Sequence, residues 1–179
     1  AVMGEDFRRV ATPSEVRKMK ALVARDMTAG ALGLSSGLEY DPGHYSTTTE
    51  LIALAKTASS FGGMYISHVR DEGPGALESF KELIRIAKEA KLPAQVSHIK
   101  VAVSSVWGKS KEAVSLMEAA RRQGLDISAD IYPYTFWQSS ITALTVSRDW
   151  KNPETWAKAL EDTGGASHVR LTEYSPDPS

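Results

Sequence analysis

The sequence predicts an α/β fold made of parallel strands, part of a (β/α)8 TIM barrel, and three observations predict it. Met64-Tyr65-Ile66-Ser67-His68-Val69-Arg70 and Ala94-Gln95-Val96-Ser97-His98-Ile99-Lys100 share one form: a short apolar, β-prone run ending in Ser-His, then an apolar residue and a cation. The two histidines are thirty residues apart and each segment leads into a helical pattern, the spacing of successive strands in a parallel βαβ unit. Helix and strand patterns then alternate four times at about that period. An open doubly wound sheet is the alternative, but no Gly-x-Gly-x-x-Gly opens a helix, so the barrel is preferred.

The elements follow in order. Thr12-Pro13-Ser14-Glu15 reads as a helix start, with Thr as cap, Pro at the first helical position and Glu15 completing a capping box. Val16, Met19 and Val23 mark one face of that helix. The strand Ala31-Leu32-Gly33-Leu34-Ser35 comes next, its Gly and Ser content implying a close backbone approach at its carboxyl end. A turn-rich loop, Ser36 to Gly43, precedes a second capping box at Thr47 to Glu50, and Leu51, Leu54, Ala55 and Ala58 give helical spacing up to Gly62-Gly63. After the strand bearing His68, the helix with Phe80, Leu83, Ile84, Ala87 and Ala90 on one side is the clearest, with Lys81, Glu82, Arg85, Lys88 and Glu89 largely opposite. Pro93 separates it from the strand bearing His98. Ala113, Leu116, Met117 and Ala120 trace a further helix closed by Gly124, and Asp126 to Asp130 forms a fourth strand leading into Tyr132-Pro133-Tyr134. Residues 1–135 are thus read as central βα units of the barrel. Beyond them the pattern degrades, with Trp137, Trp150 and Trp156 among polar residues and one helix start at Asn152-Pro153, so 136–179 is read as an insertion, a lid or a later barrel segment.

Composition narrows the function classes. Hydrophobic residues at 42% of 179 supply an ordinary core. The 21 Lys and Arg nearly balance 22 Asp and Glu, which leaves no basic field for a phosphate backbone, so nucleic acid is not expected as a partner. No apolar run approaches the roughly 20 residues that span a bilayer and no secretory signal is visible, so no membrane association and a cytoplasmic location are expected. The absence of cysteine removes thiolate ligands from these residues. The first and last residues carry neither a start signal nor a closing element, and the chain is expected to be an internal piece of a longer protein whose flanking barrel strands lie elsewhere.

At the carboxyl ends of neighbouring parallel strands, His68 and His98 would aim two imidazoles into the crevice where such barrels place their chemistry. A zinc site is one reading, though two ligands do not complete it; hydrogen-bonded histidines in a polar crevice are the other. Lys100, two residues beyond His98, would point into the same crevice by strand alternation and could hold a carboxylate or a developing oxyanion, or else be a surface lysine. Asp130 could bind metal or act as a base, but orienting Tyr132 or satisfying loop amides is the favoured role. Tyr132 and Tyr134 could meet a substrate or simply pack. Arg70 and Glu72 could pair with one another or bind a ligand, the orientation of Glu39 beside Tyr40 is open, and His44 and His168 are not put forward as ligands.

Gly30-Ala31-Leu32-Gly33-Leu34-Ser35-Ser36-Gly37-Leu38-Glu39-Tyr40, Ser67-His68-Val69-Arg70, Gln95 to Lys100 and Asp130 to Thr135 together resemble the central part of the N-acyl-D-amino-acid deacylases, or D-aminoacylases, of the amidohydrolase superfamily. Leu171 to Pro176 is similar to a later segment. The resemblance implies a metal-dependent (β/α)8 barrel beside a small β domain, hydrolysing an N-acyl-D-amino acid to a carboxylate and a D-amino acid. It implies that His68 and His98 are zinc ligands and that Lys100, Tyr132 and Tyr40 border the substrate, a small molecule. The family's upstream His-x-His, its Cys or Glu ligand and its downstream Asp, the general acid and base, have no counterpart here, so catalysis by this chain alone is not expected.

Two other readings compete. A cyclic amidase of the hydantoinase or dihydroorotase type shares the barrel and paired histidines but would be expected to carry a bridging carboxylated lysine, which no strand end before His68 supplies. A non-catalytic half-barrel would instead associate through exposed sheet edges and helix faces into an oligomer.

Overall fold

The computed structural model describes residues 2–145 and 147–173. Tyr174, Ser175 and Pro176 of the similarity noted above, and the end of the 136–179 segment, lie outside the described residues.

Four strands, β1 (Gly33–Gly37), β2 (Met64–His68), β3 (Ala94–Val96) and β4 (Ile127–Ala129), form one parallel sheet in the order β1-β2-β3-β4. Helix α1 (Pro13–Thr28) precedes it, α2 (Thr48–Ser59), α3 (Ala76–Ala90) and α4 (Ser110–Arg122) are the three crossovers, and α5 (Pro153–Asp162) follows. The strand order never reverses, as a doubly wound sheet requires it to do. The two faces also differ. Leu34, Tyr65, Ala94 and Ile127 form one row across the sheet; the last three are buried in the core with Phe80, Leu83 and Ile86 of α3 and Met117 of α4. Ser35, Ile66, Gln95 and Ser128 form the next row, on the opposite face, and none of them is buried. Helices on one face and a partly open, polar row on the other are the sheet of a barrel and its lumen side.

The helices start where side chains can satisfy their free N–H groups. At α1 the Thr12 hydroxyl accepts the Glu15 N–H while the Glu15 carboxylate accepts the Thr12 N–H, and Pro13 occupies the first position. The capping box expected at α2 is only half made: Thr47 accepts the Glu50 N–H, but among the described hydrogen bonds Glu50 returns none, and burial raises its carboxyl above the ordinary range. The apolar stripe of α3 buries Phe80, Leu83, Ile86, Ala87 and Ala90; Ile84, expected on that side, lies at its margin. Lys91 ends α3 in the left-handed region (φ 54°), its N–H donating to Ala87 O, and Pro93 prevents continuation.

Two strand expectations need correction. The first strand runs Gly33–Gly37 rather than Ala31–Ser35, leaving Leu32 at 86% exposure. The third stops at Val96, so His98 follows the strand in a turn.

Candidate metal centre

Each site residue reaches the crevice by its own local device. The register sets Gly37 beside His68, and the ladder continues one step as Leu38 N–H donates to His68 O at 3.0 Å. The chain then turns back over the imidazole. Glu39 Oε2 comes to 2.7 Å from His68 Nε2, and the Tyr40 ring lies 4.6 Å from the His68 ring, centroid to centroid. A Cβ on Gly37 would stand 3.3 Å from the Tyr40 ring, so glycine leaves that ring its place.

His98 is turned inward by its backbone. It adopts φ 38°, uncommon for a residue with a Cβ, and its N–H donates to the carboxylate of Asp130, while Ile99 N–H donates to Asp130 O at 2.9 Å. Gln95 Nε2 donates to the other Asp130 oxygen. Asp130 therefore satisfies a loop amide, its favoured role, and in doing so orients His98. Its position brings His98 Nε2 to 3.0 Å from His68 Nδ1.

Glu72 arrives through the loop between β2 and α3. Asp71 accepts the N–H groups of Gly73 and Gly75, and its own N–H donates to Ser79 Oγ, which folds Asp71-Glu72-Gly73-Pro74-Gly75 into a tight turn. Glu72 is buried at 5% exposure; its Oε1 lies 3.1 Å from His98 Nδ1, and Lys100 Nζ reaches its two oxygens at 2.7 and 2.6 Å. Lys100 thus enters the crevice through a turn, not by strand alternation. Its Nζ is 2.8 Å from His98 Nδ1 and 5.6 Å from the Tyr132 ring centroid, a cation over an aromatic face. Beneath, Ser36 Oγ bonds both Tyr65 OH (2.6 Å) and Ser67 Oγ (2.9 Å), and Ser67 Oγ donates to His68 O, filling the sheet under the site with satisfied polar groups.

His68, His98, Lys100, Tyr132 and Tyr40 all line one cleft of about 280 Å³, with Trp137, Gln138 and Ser139 also in its wall. Tyr40 OH meets Ser139 Oγ at 3.2 Å. Burial raises the phenols of Tyr40 and Tyr132 above their ordinary range, so both remain hydrogen-bond donors through neutral pH. Arg70 is forked onto Glu82 and donates to the carbonyls of His44 and Ser46, so its partner is Glu82 rather than Glu72. His44 and His168 stand outside the cluster, and burial lowers the His44 imidazole.

The donors fit a divalent ion. Among the described residues His68, Glu72 and His98 bring ligand atoms within 4.8 Å of one another. Two nitrogens held at roughly 2.0–2.1 Å in a tetrahedron lie about 3.3 Å apart, close to the facing ring atoms here. Both oxygens of Glu72 are already engaged by an ammonium, which makes it an orienting group more readily than a ligand.

No family model matches the chain. It is 34% identical to the D-aminoacylase of Alcaligenes xylosoxydans xylosoxydans over 165 residues, which cover 92% of this chain and 34% of that protein. Over these residues the chain is similar to the N-acyl-D-amino-acid deacylases. It is also 33% identical to the N-acyl-D-glutamate deacylase of the same organism, over 88% of this chain and 32% of that one. The chain spans about a third of the length of these curated relatives. Its fold superposes on a D-aminoacylase crystal structure with TM-score 0.70 and 38% identity, covering 74% of this chain and 28% of that one. The N-acyl-D-glutamate deacylase of Bordetella bronchiseptica, complexed with zinc and a phosphonate that mimics the tetrahedral intermediate, gives TM-score 0.70 at 32% identity over 73% and 27%. A D-aminoacylase mutant in complex with CuCl2 aligns equally well, with TM-score 0.70.

Proposed function

We propose that this chain forms the metal-binding and part of the substrate-binding wall of an N-acyl-D-amino-acid deacylase, which hydrolyses the amide of its small-molecule substrate to a carboxylate and a free D-amino acid. The observation that carries the reading is the 3.0 Å approach of His68 Nδ1 and His98 Nε2 at the carboxyl edge of a parallel sheet. The 34% identity to a D-aminoacylase supports reading that edge as a deacylase metal site.

His68 and His98 would hold the cation, and zinc is our reading of its identity because the Bordetella relative is complexed with zinc. Bound there, a divalent ion supplies Lewis-acid polarisation of a carbonyl oxygen and lowers the pKa of water. The chain's own residues bind and orient. Lys100 places its ammonium beside the imidazoles, where it attracts a substrate carboxylate or a developing oxyanion. Tyr132 adds a phenolic donor on one side, and Tyr40 covers the outer face of His68 on the other. Phe136 to Ser139, which line the cleft, are suited to excluding water as a lid does. The carboxylate that moves the proton is expected from outside these residues.

The test is release of free amine from N-acetyl-D-amino acids by the protein expressed from its intact gene, set against N-acetyl-L-amino acids and cyclic ureides, with His68→Ala as control. Turnover of the D-substrates that disappears in H68A is expected; turnover of cyclic ureides alone would move the chain to the cyclic amidases.

A further inference from the structure

A neutral imidazole has one N–H and one lone pair, and the partner of one nitrogen decides which of them faces the other way. Around His68 and His98 these partners form a chain that ends on a carboxylate, an acceptor only, at Glu39. Lys100 Nζ, which can only donate, lies 2.8 Å from His98 Nδ1. At the other end the Glu39 carboxylate, an acceptor, lies 2.7 Å from His68 Nε2. Between them His98 Nε2 and His68 Nδ1 stand 3.0 Å apart. With neutral rings only one direction satisfies all three contacts: Lys100 donates to His98 Nδ1, His98 Nε2–H donates to His68 Nδ1, and His68 Nε2–H donates to Glu39. The Glu39 carboxylate alone requires this tautomer of His68, whereas His98 Nδ1 has both the Lys100 donor and the Glu72 Oε1 acceptor, 3.1 Å away, within reach.

We propose that Glu39 is a positioning residue that fixes His68 in the Nε2–H tautomer and so presents its Nδ1 lone pair to the cation; this rests on the metal-site reading above. Glu39 is itself held. Its backbone carbonyl accepts from the Arg148 guanidinium, which also pairs with Asp41, while the Tyr40 ring against His68 limits rotation of the imidazole. The two rings then differ in readiness. His68 keeps its tautomer when a cation enters, whereas His98 moves its proton through solvent from Nε2 to Nδ1, where Glu72 Oε1 lies 3.1 Å away to accept it. No proton is released, and Lys100 gives up its bond to His98 Nδ1 while keeping those to Glu72.

The experiment is long-range 1H–15N correlation of the histidine rings in the metal-free chain, in mildly alkaline buffer, for wild type, Glu39→Ala and Glu39→Gln, followed by zinc titration against a chromophoric chelator. His68 is expected as the Nε2–H tautomer in wild type and E39Q, whose amide oxygen still accepts, and as a tautomer mixture in E39A. Zinc affinity should fall about 10- to 100-fold in E39A and be largely restored in E39Q. Unchanged His44 and His168 signals establish that each variant is folded. A wild-type His68 in the Nδ1–H form, or an E39A ring identical to wild type, overturns the proposal. So does E39A zinc affinity equal to wild type when His68→Ala abolishes binding. If H68A binds zinc as wild type does, the metal-site reading fails, and the ring spectra still decide whether Glu39 sets the tautomer.

Discussion

The Asp130 carboxylate at the end of β4 accepts the backbone N–H of His98, so one strand sets the direction of a ring carried by its neighbour. The left-handed backbone of His98 persists only where its surroundings hold it. Asp130→Ala should therefore cost on the order of 1 kcal/mol in urea unfolding and weaken zinc binding more than that small loss implies. Equal zinc affinity in D130A and wild type would contradict the link between β4 and the His98 ring.

Arg70, two residues beyond His68, is structural. Its fork bridges both oxygens of Glu82 at 2.9 Å while its remaining N–H groups reach His44 O and Ser46 O, tying α3 to the loop after β1. Lysine cannot reproduce a planar fork with two further donors. Arg70→Lys is expected to destabilise the chain by about 1–2 kcal/mol, read as a lower urea midpoint with unchanged slope. A midpoint equal to wild type would show that the fork contributes little.

The acid sensitivity of α1 has a definite sign. Hydrogen bonds from Arg9 and from the N–H and hydroxyl of Thr12 hold the Glu15 carboxyl well below the usual carboxylate range. A group with a depressed folded pKa contributes stability that is present above its unfolded value and lost as pH falls toward the folded one. Glu15→Gln should thus lower stability at neutral pH and make little difference in strong acid, where wild-type Glu15 is itself protonated. Denaturant unfolding at both pH values checks this; a constant difference across them would exclude Glu15 as a source of acid sensitivity.

Gly33 marks where β1 meets β2 most closely: a Cβ there would lie 2.2 Å from Met64 O. The obstacle is backbone, which cannot rotate aside. Gly33→Ala should cost about 1–3 kcal/mol in equilibrium unfolding, and a neutral result would mean that the two strands separate at that end without penalty.

What the sequence made legible follows from what carries a local signal. Thr12 and Pro13 mark the start of α1, and Phe80, Leu83, Ala87 and Ala90 mark the stripe of α3, because caps and periodicity are properties of neighbouring residues. The Ser-His pairs located the crevice for the same reason. The first strand was displaced by two residues because Ala31-Leu32 has the hydropathy of a strand, whereas Ser35-Ser36-Gly37 has none; its ladder with β2 decides its limits. Glu39 and Glu72 could not be placed from sequence. The first reaches His68 through the Gly37 register with His68, the second through the Asp71 turn, and both are tertiary facts. Lys100 arrives in the crevice by a route other than the expected alternation, since β3 ends at Val96 and the turn at His98 redirects the chain.

The central claim is that His68 and His98 together hold one divalent cation, and calorimetric titration of zinc into the metal-free chain tests it most directly, alongside His68→Ala, His98→Ala and the double variant. One site per chain in wild type, lost in each single variant and in the double, is the predicted result. Wild-type affinity retained in the double variant would contradict the account.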